Sequence, residues 1–195
     1  LNLCNKNFPN MNSKDSSKAK NDLLLDVCLA AKYEGESLEK YREQYEANYQ
    51  DYGSTICTIL ARSFADIGDI IRGKDLYRGG GRGKGKDKLE DNLKTIFKNI
   101  YEKLLQENQK NGKNEELKTR YQDENGGNYY QLREDWWALN RKDVWKAMTC
   151  DAPEDAPYFR GTCGGEGTAS LTVFQCRCKD DEVPTYFDYV PQYLR

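Results

Sequence analysis

The sequence predicts an all-α fold, a disulfide-stabilised helical bundle with long polar loops. Apolar residues recur three and four positions apart in four stretches of the chain, which is the spacing of one face of an α-helix. Charged residues make up 32% of the 195 residues, a fraction that suits helices with wide solvated faces. Seven cysteines and no histidine favour disulfides over a mixed zinc site, and disulfides imply an oxidising compartment.

The first predicted helix begins at Asp22, after a polar stretch over residues 1–21 that is typical of a loop. Gly35 is a candidate break in this helix, because glycine weakens a helix interior. Beyond it, tyrosines continue the helical spacing up to Tyr49. The side chains that we expect on its buried face are Leu24, Leu25, Cys28, Leu29 and Ala31.

The central helix is predicted within residues 54–77, the stretch with the clearest apolar stripe. Ser54 or Thr55 offers an N-cap oxygen, and Gly73 lies where a left-handed exit residue is expected. Asp66 and Asp69 are assigned to the polar side, and Arg72 ends the helix with a charge that suits its dipole.

Two more helices are predicted over residues 89–106 and 128–148. The second contains Trp136, Trp137 and Trp145, which at helical spacing indicate core packing, with an aromatic binding surface as the alternative. Residues 22–150 are therefore predicted to form the helical core, with flexible loops at 78–88 and 107–127. Residues 151–195 are predicted to be a cysteine-containing loop region with one short β-like run at 171–178.

The positions of the cysteines predict one disulfide. Cys57 begins one helix and Cys150 ends another, so a Cys57–Cys150 bridge would staple antiparallel neighbours. The sequence leaves the pairing of the other candidates open. They are Cys28, Cys163, Cys176 and Cys178.

A basic segment at residues 72–88 is the strongest electrostatic feature. It contains seven basic and two acidic residues, a local charge of 7 − 2 = +5 in a chain of net charge −2. Such a segment predicts contact with a polyanion such as a sulfated glycan, because several neutralised charges release counterions. The alternative is a solvated surface loop. The candidate binding residues are Arg72, Lys74, Arg78, Arg82, Lys84, Lys86 and Lys88.

Other functions find little support in the residue types. The glycines of the basic segment fit a phosphate-binding pattern, but Asp87 replaces the hydroxyl residue that would bind magnesium. Without histidine the chain lacks the usual general base and the serine or cysteine triads, so we expect no enzyme activity, cofactor or metal. The near-neutral net charge does not favour nucleic acid. No apolar run reaches the ~20 residues that span a bilayer, so any membrane anchor is expected elsewhere in a longer polypeptide.

Several motifs, in order along nearly the whole chain, resemble the Duffy-binding-like alpha domains of the variant erythrocyte membrane protein 1 family of Plasmodium falciparum. They are LCNKN, VCLAAKYEGES, ARSFADIGDIIRGKDLY, DWWALNRKDVWKAMTC, YFRGTC, QCRC and VPTYFDYVPQYLR. The resemblance implies that residues 1–21 end a first subdomain, that 22–150 form the core of a second, and that 151–195 lead to a third. It also implies cysteines outside this sequence, so Cys4 is expected to be unpaired within the chain.

The resemblance implies a host-cell adhesion module of a variant surface antigen, exposed on the infected erythrocyte as part of a larger membrane protein. The expected partners are erythrocyte or endothelial receptors, sulfated glycans such as heparan sulfate, and host antibodies. The expected outcomes are cytoadherence, rosetting and antigenic variation. The alternative is a structural spacer or immune-decoy scaffold that displays variable loops without a ligand. A weaker alternative is an intracellular helical interaction domain.

Overall fold

The residues that the computed structural model describes form five α-helices. They are α1 (Ala19–Tyr49), α2 (Ile56–Arg72), α3 (Lys84–Asn108), α4 (Asn114–Arg120) and α5 (Tyr130–Met148). The structure describes residues 19–49, 56–76, 84–109, 112–122, 127–156, 161–164, 169–172 and 174–195. Within these ranges β pairing is confined to two isolated bridges, Cys163–Ser170 and Phe174–Arg177. The predicted all-α fold is confirmed, whereas the β-like run at 171–178 forms no strand in its described part.

Helices α1, α2 and α5 contact one another, α3 packs on α1 and α5, and α4 lies against α3. Helices α1, α2, α3 and α5 each bury an apolar stripe, and all three tryptophans belong to the core, as predicted. Phe64 of α2 touches Trp137 and Trp145 of α5, with ring centroids 5.1 Å apart in both pairs. Trp137 and Trp145, the largest fully buried side chains of the described residues, therefore pack at the α2–α5 contact.

The exit from α2 follows the predicted glycine geometry. Gly73 has φ of +72°, and the amide of Lys74 donates to the carbonyl oxygen of Asp69 at 2.8 Å. This hydrogen bond closes the last turn in the manner of a Schellman motif. The predicted N-cap residues Ser54 and Thr55 lie outside the described residues.

Five expectations about the helices were wrong. Helix α1 continues through Gly35, and it buries Leu23 and Val27 while Leu25 is exposed. Helix α3 begins at Lys84, so residues 84–88 are helical rather than part of a flexible loop. The polar insertion at 107–127 contains the short helix α4. Asp69, assigned to the polar side of α2, is buried.

Gly35 lies where α1 passes closest to the end of α5. A methyl group there would overlap the carbonyl oxygen of Met148, which is backbone and cannot rotate away. Ala at a helix interior otherwise gains about 1 kcal/mol over Gly. We expect Gly35→Ala to lower the free energy of unfolding by about 1–3 kcal/mol, measured by urea denaturation. Ser37→Ala, on the exposed side of α1, should stay within about 0.5 kcal/mol. A stabilised Gly35→Ala variant would show that the two helices are not this close.

Candidate functional site

Arg72, the first predicted residue of the basic segment, is a structural residue. Only 2% of its surface is exposed. Its guanidinium donates to the carbonyl oxygens of Gly68 and Asp188 and pairs with Asp69. A side chain with these partners cannot reach a ligand in solvent, so the prediction of Arg72 as a binding residue is corrected.

The other described basic side chains of this segment lie at the surface. Lys74 is exposed and pairs with Glu134 of α5, which offsets its charge. Lys88 is exposed on α3. Lys84 and Lys86 lie on the first turn of α3, of which the backbone alone is described, and Arg78 and Arg82 lie outside the described residues. The segment thus connects the end of α2 to the start of α3.

A buried carboxylate, Asp188, joins the C-terminal segment (residues 179–195) to α5. It accepts hydrogen bonds from Trp137 Nε1 at 2.8 Å and from Arg141 Nε and Nη2 at 2.9 and 2.8 Å. Arg141 also donates to the carbonyl oxygen of Thr185 at 2.7 Å. We name Trp137, Arg141 and Asp188 the Asp188 anchor. Arg141 thus bonds both to backbone and to this carboxylate, which accepts two of its hydrogen bonds.

The last residue of the chain is held on α2 in a similar way. Arg195 pairs with Asp66 and Asp69, and Asp69 also pairs with Arg72 at 3.0 Å. Burial raises the pKa of both aspartates above the ordinary value, although Arg195 opposes that shift. The ion pairs therefore offset the cost of burying two carboxylates rather than add a large net stabilisation.

Tyrosines of the same C-terminal segment are exposed. Tyr186, Tyr189 and Tyr193 expose much of their surface, and the Arg141 guanidinium lies 5.3 and 5.5 Å from the ring centroids of Tyr186 and Tyr189. Cation–π contacts of this kind hold the two rings in place. The Asp188 anchor thus presents fixed aromatic groups at the surface.

Among the described residues, two disulfides tie the C-terminal region together. Cys57 of α2 pairs with Cys176, with Cα atoms 5.4 Å apart, and Cys163 pairs with Cys178. The predicted Cys57–Cys150 bridge is therefore wrong. The Cys57 sulfur is buried against Cys176, whereas the Cys150 thiol donates to the carboxylate of Asp151 at 3.2 Å. Cys28 and Cys150, both disulfide candidates, carry free thiols, and Cys4 lies outside the described residues.

The free thiol of Cys28 is held in its protonated form. Burial, with a smaller effect of Asp143, raises its pKa from 9.0 to about 11. At pH 8 we expect Cys28 to react with iodoacetamide about a hundredfold more slowly in the folded chain than in denaturant, since the thiolate is the nucleophile. Mass spectrometry of the Cys28 peptide measures both rates.

The same shift affects stability. The pKa of Cys28 is higher in the folded state, so the contribution of its protonated thiol to the free energy of unfolding is fully present below pH 9. This contribution is lost as the pH rises through about 11.

For the alkylation experiment, equal rates in the folded and denatured chain would contradict the described burial of this thiol.

The described residues show no group of three or more potential metal ligands. In the same parts of the chain, every helix is too short or too polar to cross a membrane. The candidate functional features described above are the basic segment, the exposed tyrosines and the disulfide-linked region.

Comparison with known proteins agrees with this description. The family model for the Duffy binding domain matches residues 1–195. The NTS-DBL1(alpha-1) domain of Plasmodium falciparum membrane protein 1 (PfEMP1) from the varO strain is 38% identical, with a TM-score of 0.73 over 98% of this chain and 39% of its own length. The varO double domain of DBL1-alpha and CIDR-gamma is 39% identical, with a TM-score of 0.74 over 98% of this chain and 25% of its own length.

A third solved structure is described as the ICAM-1-binding DBLbeta domain of PfEMP1 IT4var13. It is 36% identical, with a TM-score of 0.59, and the match covers 76% of this chain and 32% of that domain. No curated protein compared with the chain matches it. The chain thus spans at most about two fifths of these structures. A match over all 195 residues, with a shared helical fold, shows that the chain belongs to the Duffy binding domain family.

Proposed function

We propose that this chain is part of a host-cell adhesion module on the extracellular face of the infected erythrocyte, within a larger membrane protein. The observation that carries the proposal is the family match over the whole chain, with PfEMP1 domains as structural neighbours. One neighbour is described as binding ICAM-1, which supports a host surface protein as the class of partner. Cytoadherence, rosetting and antigenic variation belong to the same proposal.

The test is binding of the folded chain to human cells. Chains assembled as streptavidin tetramers are incubated with human erythrocytes and with endothelial cells, and bound tetramer is counted by flow cytometry. Tetramers raise a weak monovalent affinity by avidity. Binding that saturates and is competed by unlabelled chain supports adhesion. No binding to either cell type would contradict it and favour the spacer or immune-decoy alternative.

We further propose that the exposed part of the basic segment contacts sulfated glycans. When buried Arg72 is left out of the count, the segment still contains six basic residues and two acidic ones. Of these basic residues, Lys88 is exposed on α3. Its charge is concentrated while the whole chain is slightly acidic. A polyanion gains affinity at such a segment through counterion release, and this affinity falls as salt rises.

The matched experiment compares two variants of equal charge. One replaces Arg78, Arg82, Lys84, Lys86 and Lys88 by Ser. The other replaces five exposed basic residues elsewhere by Ser: Lys40, Arg62, Lys98, Lys113 and Lys118. Each has a net charge of −2 − 5 = −7. We expect the heparin affinity of the parent to fall steeply as the salt concentration rises. We expect the heparin affinity of the first variant to be about tenfold or more lower than that of the second. Equal losses would show a net-charge effect and contradict the assignment to this segment.

A further inference from the structure

The segment around the second disulfide differs from the rest of the chain in charge. Residues 161–176 contain one charged residue, Glu166, in a chain of which 32% is charged. The described residues of this segment, 161–164, 169–172 and 174–176, carry no charge. A surface of this composition has nothing to attract a sulfated glycan, so it is suited to an uncharged partner surface.

Leu171 and Phe174 of this segment are apolar side chains directed to solvent, with 57% and 44% of their surfaces exposed. Their neighbour Thr172 is half-buried, and its hydroxyl donates to the carbonyl oxygen of Ala156 at 3.2 Å. Folding therefore leaves the two largest apolar groups of the described segment outside the core. We name Leu171 and Phe174 the apolar tip.

The backbone beneath the apolar tip is held by covalent and hydrogen bonds. Cys163 pairs with Cys178, and Cys176 pairs with Cys57 of α2. The amide and carbonyl of Cys163 bond to those of Ser170 at 3.0 and 2.7 Å. The indole nitrogen of Trp145 donates to the carbonyl oxygen of Cys176 at 3.1 Å. These bonds fix the segment to both α2 and α5.

A tight turn follows Phe174. Gln175 and Cys176 both have left-handed backbone, with φ of 45° and 58°, and the amide of Arg177 donates to the carbonyl oxygen of Phe174 at 2.9 Å. Two successive residues with positive φ form a type I′ turn, which normally favours Asn and Gly. Non-glycine residues in this conformation persist where surrounding bonds impose it, and such sites cluster at binding surfaces.

We propose that the apolar tip is a receptor contact that inserts into an uncharged, apolar patch of a host surface protein. A backbone already fixed before binding loses little entropy on association, so two apolar groups can contribute strongly. The absence of charge in the described part of 161–176 separates this contact from the glycan contact of the basic segment. The inference rests on the proposed adhesion function and names the chemistry of its protein partner.

The test uses tetramers of the whole chain on erythrocytes and endothelial cells, before and after digestion of heparan sulfate with heparin lyases. The tip variant is Leu171→Ser with Phe174→Ser. The matched control is Leu25→Ser with Leu139→Ser, which removes two exposed leucines from α1 and α5. Thermal unfolding and a free-thiol count verify that both variants are folded.

We expect the parent to keep part of its binding on digested cells. On those cells the binding of the tip variant should be about tenfold or more weaker than that of the parent. The binding of the control should stay within about twofold of the parent. A tip variant that binds like the parent, or a control that loses equally, would overturn the inference. Parent binding that disappears entirely on digestion would also overturn it, while leaving adhesion to glycans intact. A parent that binds neither intact nor digested cells would contradict the adhesion function itself.

Discussion

Replacement of Asp188 by Ala is expected to lower the free energy of unfolding by about 3–5 kcal/mol, because it leaves the guanidinium of Arg141, whose side chain is 12% exposed, without its carboxylate. Asp188 has no exposed surface, and it accepts three hydrogen bonds from Trp137 and Arg141. Urea denaturation with the disulfides intact measures the loss. The C-terminal tyrosines should lose their order at the same time, because Arg141 stacks on two of them.

The control for this prediction is a second ion pair on the same helix. Lys142 pairs with Glu182 at 3.1 Å, and both side chains are exposed. Exposed pairs contribute about 0–1 kcal/mol, so Glu182→Ala should change stability little. If the Asp188 and Glu182 variants lost similar stability, the Asp188 anchor would not be the structural centre of the C-terminal segment.

The second large effect concerns the two disulfides, which close loops of very different length. Cys57 and Cys176 are separated by 119 residues, and Cys163 and Cys178 by 15. In the chain-entropy model the first bridge contributes about 5 kcal/mol and the second about 3 kcal/mol. We expect Cys57→Ala with Cys176→Ala to destabilise the chain more than Cys163→Ala with Cys178→Ala. Thermal and urea unfolding of the two double variants make the comparison.

The order of the two effects is the informative result. Loss of the long-range bridge frees α2 from the C-terminal region, while loss of the short one frees the apolar tip without detaching α2. A short-loop variant that was the less stable of the two would mean that strain or local packing, rather than loop closure, determines the contribution of these bridges.

Periodicity predicted α1, α2, α3 and α5 because each of them buries an apolar stripe, whereas α4 has no buried residue. The tryptophans of α5 and the exit glycine Gly73 were predicted for the same reason, since local spacing and backbone conformation decide both. The start of α1 shows the limit of this approach. In the run Leu23–Leu24–Leu25 all three residues are apolar, and contact with other helices decides that Leu23 is buried and Leu25 is not.

The parts that sequence could not predict depend on residues far apart in the chain. Asp69 and Arg72 have the spacing of a polar helix face, but Arg195 and Asp188 cover them from the C-terminal segment. The partner of Cys57 lies 119 residues away, in a turn whose left-handed residues carry no Asn-Gly signal. The basic segment was found from composition alone, yet composition could not separate buried Arg72 from exposed Lys74 and Lys88.

The central claim is that a disulfide-stabilised helical domain presents adhesive surfaces to host cells. Its most direct test is whether cell binding requires the folded, disulfide-bonded chain. Tetramers of the native chain are compared with tetramers of the chain after reduction and alkylation, on human erythrocytes and endothelial cells. We predict saturable binding by the native chain and loss of most of it after reduction, because the Cys57–Cys176 and Cys163–Cys178 bridges fix the C-terminal region. Native chain that binds neither cell type, or that binds no better than the reduced chain, would contradict this account.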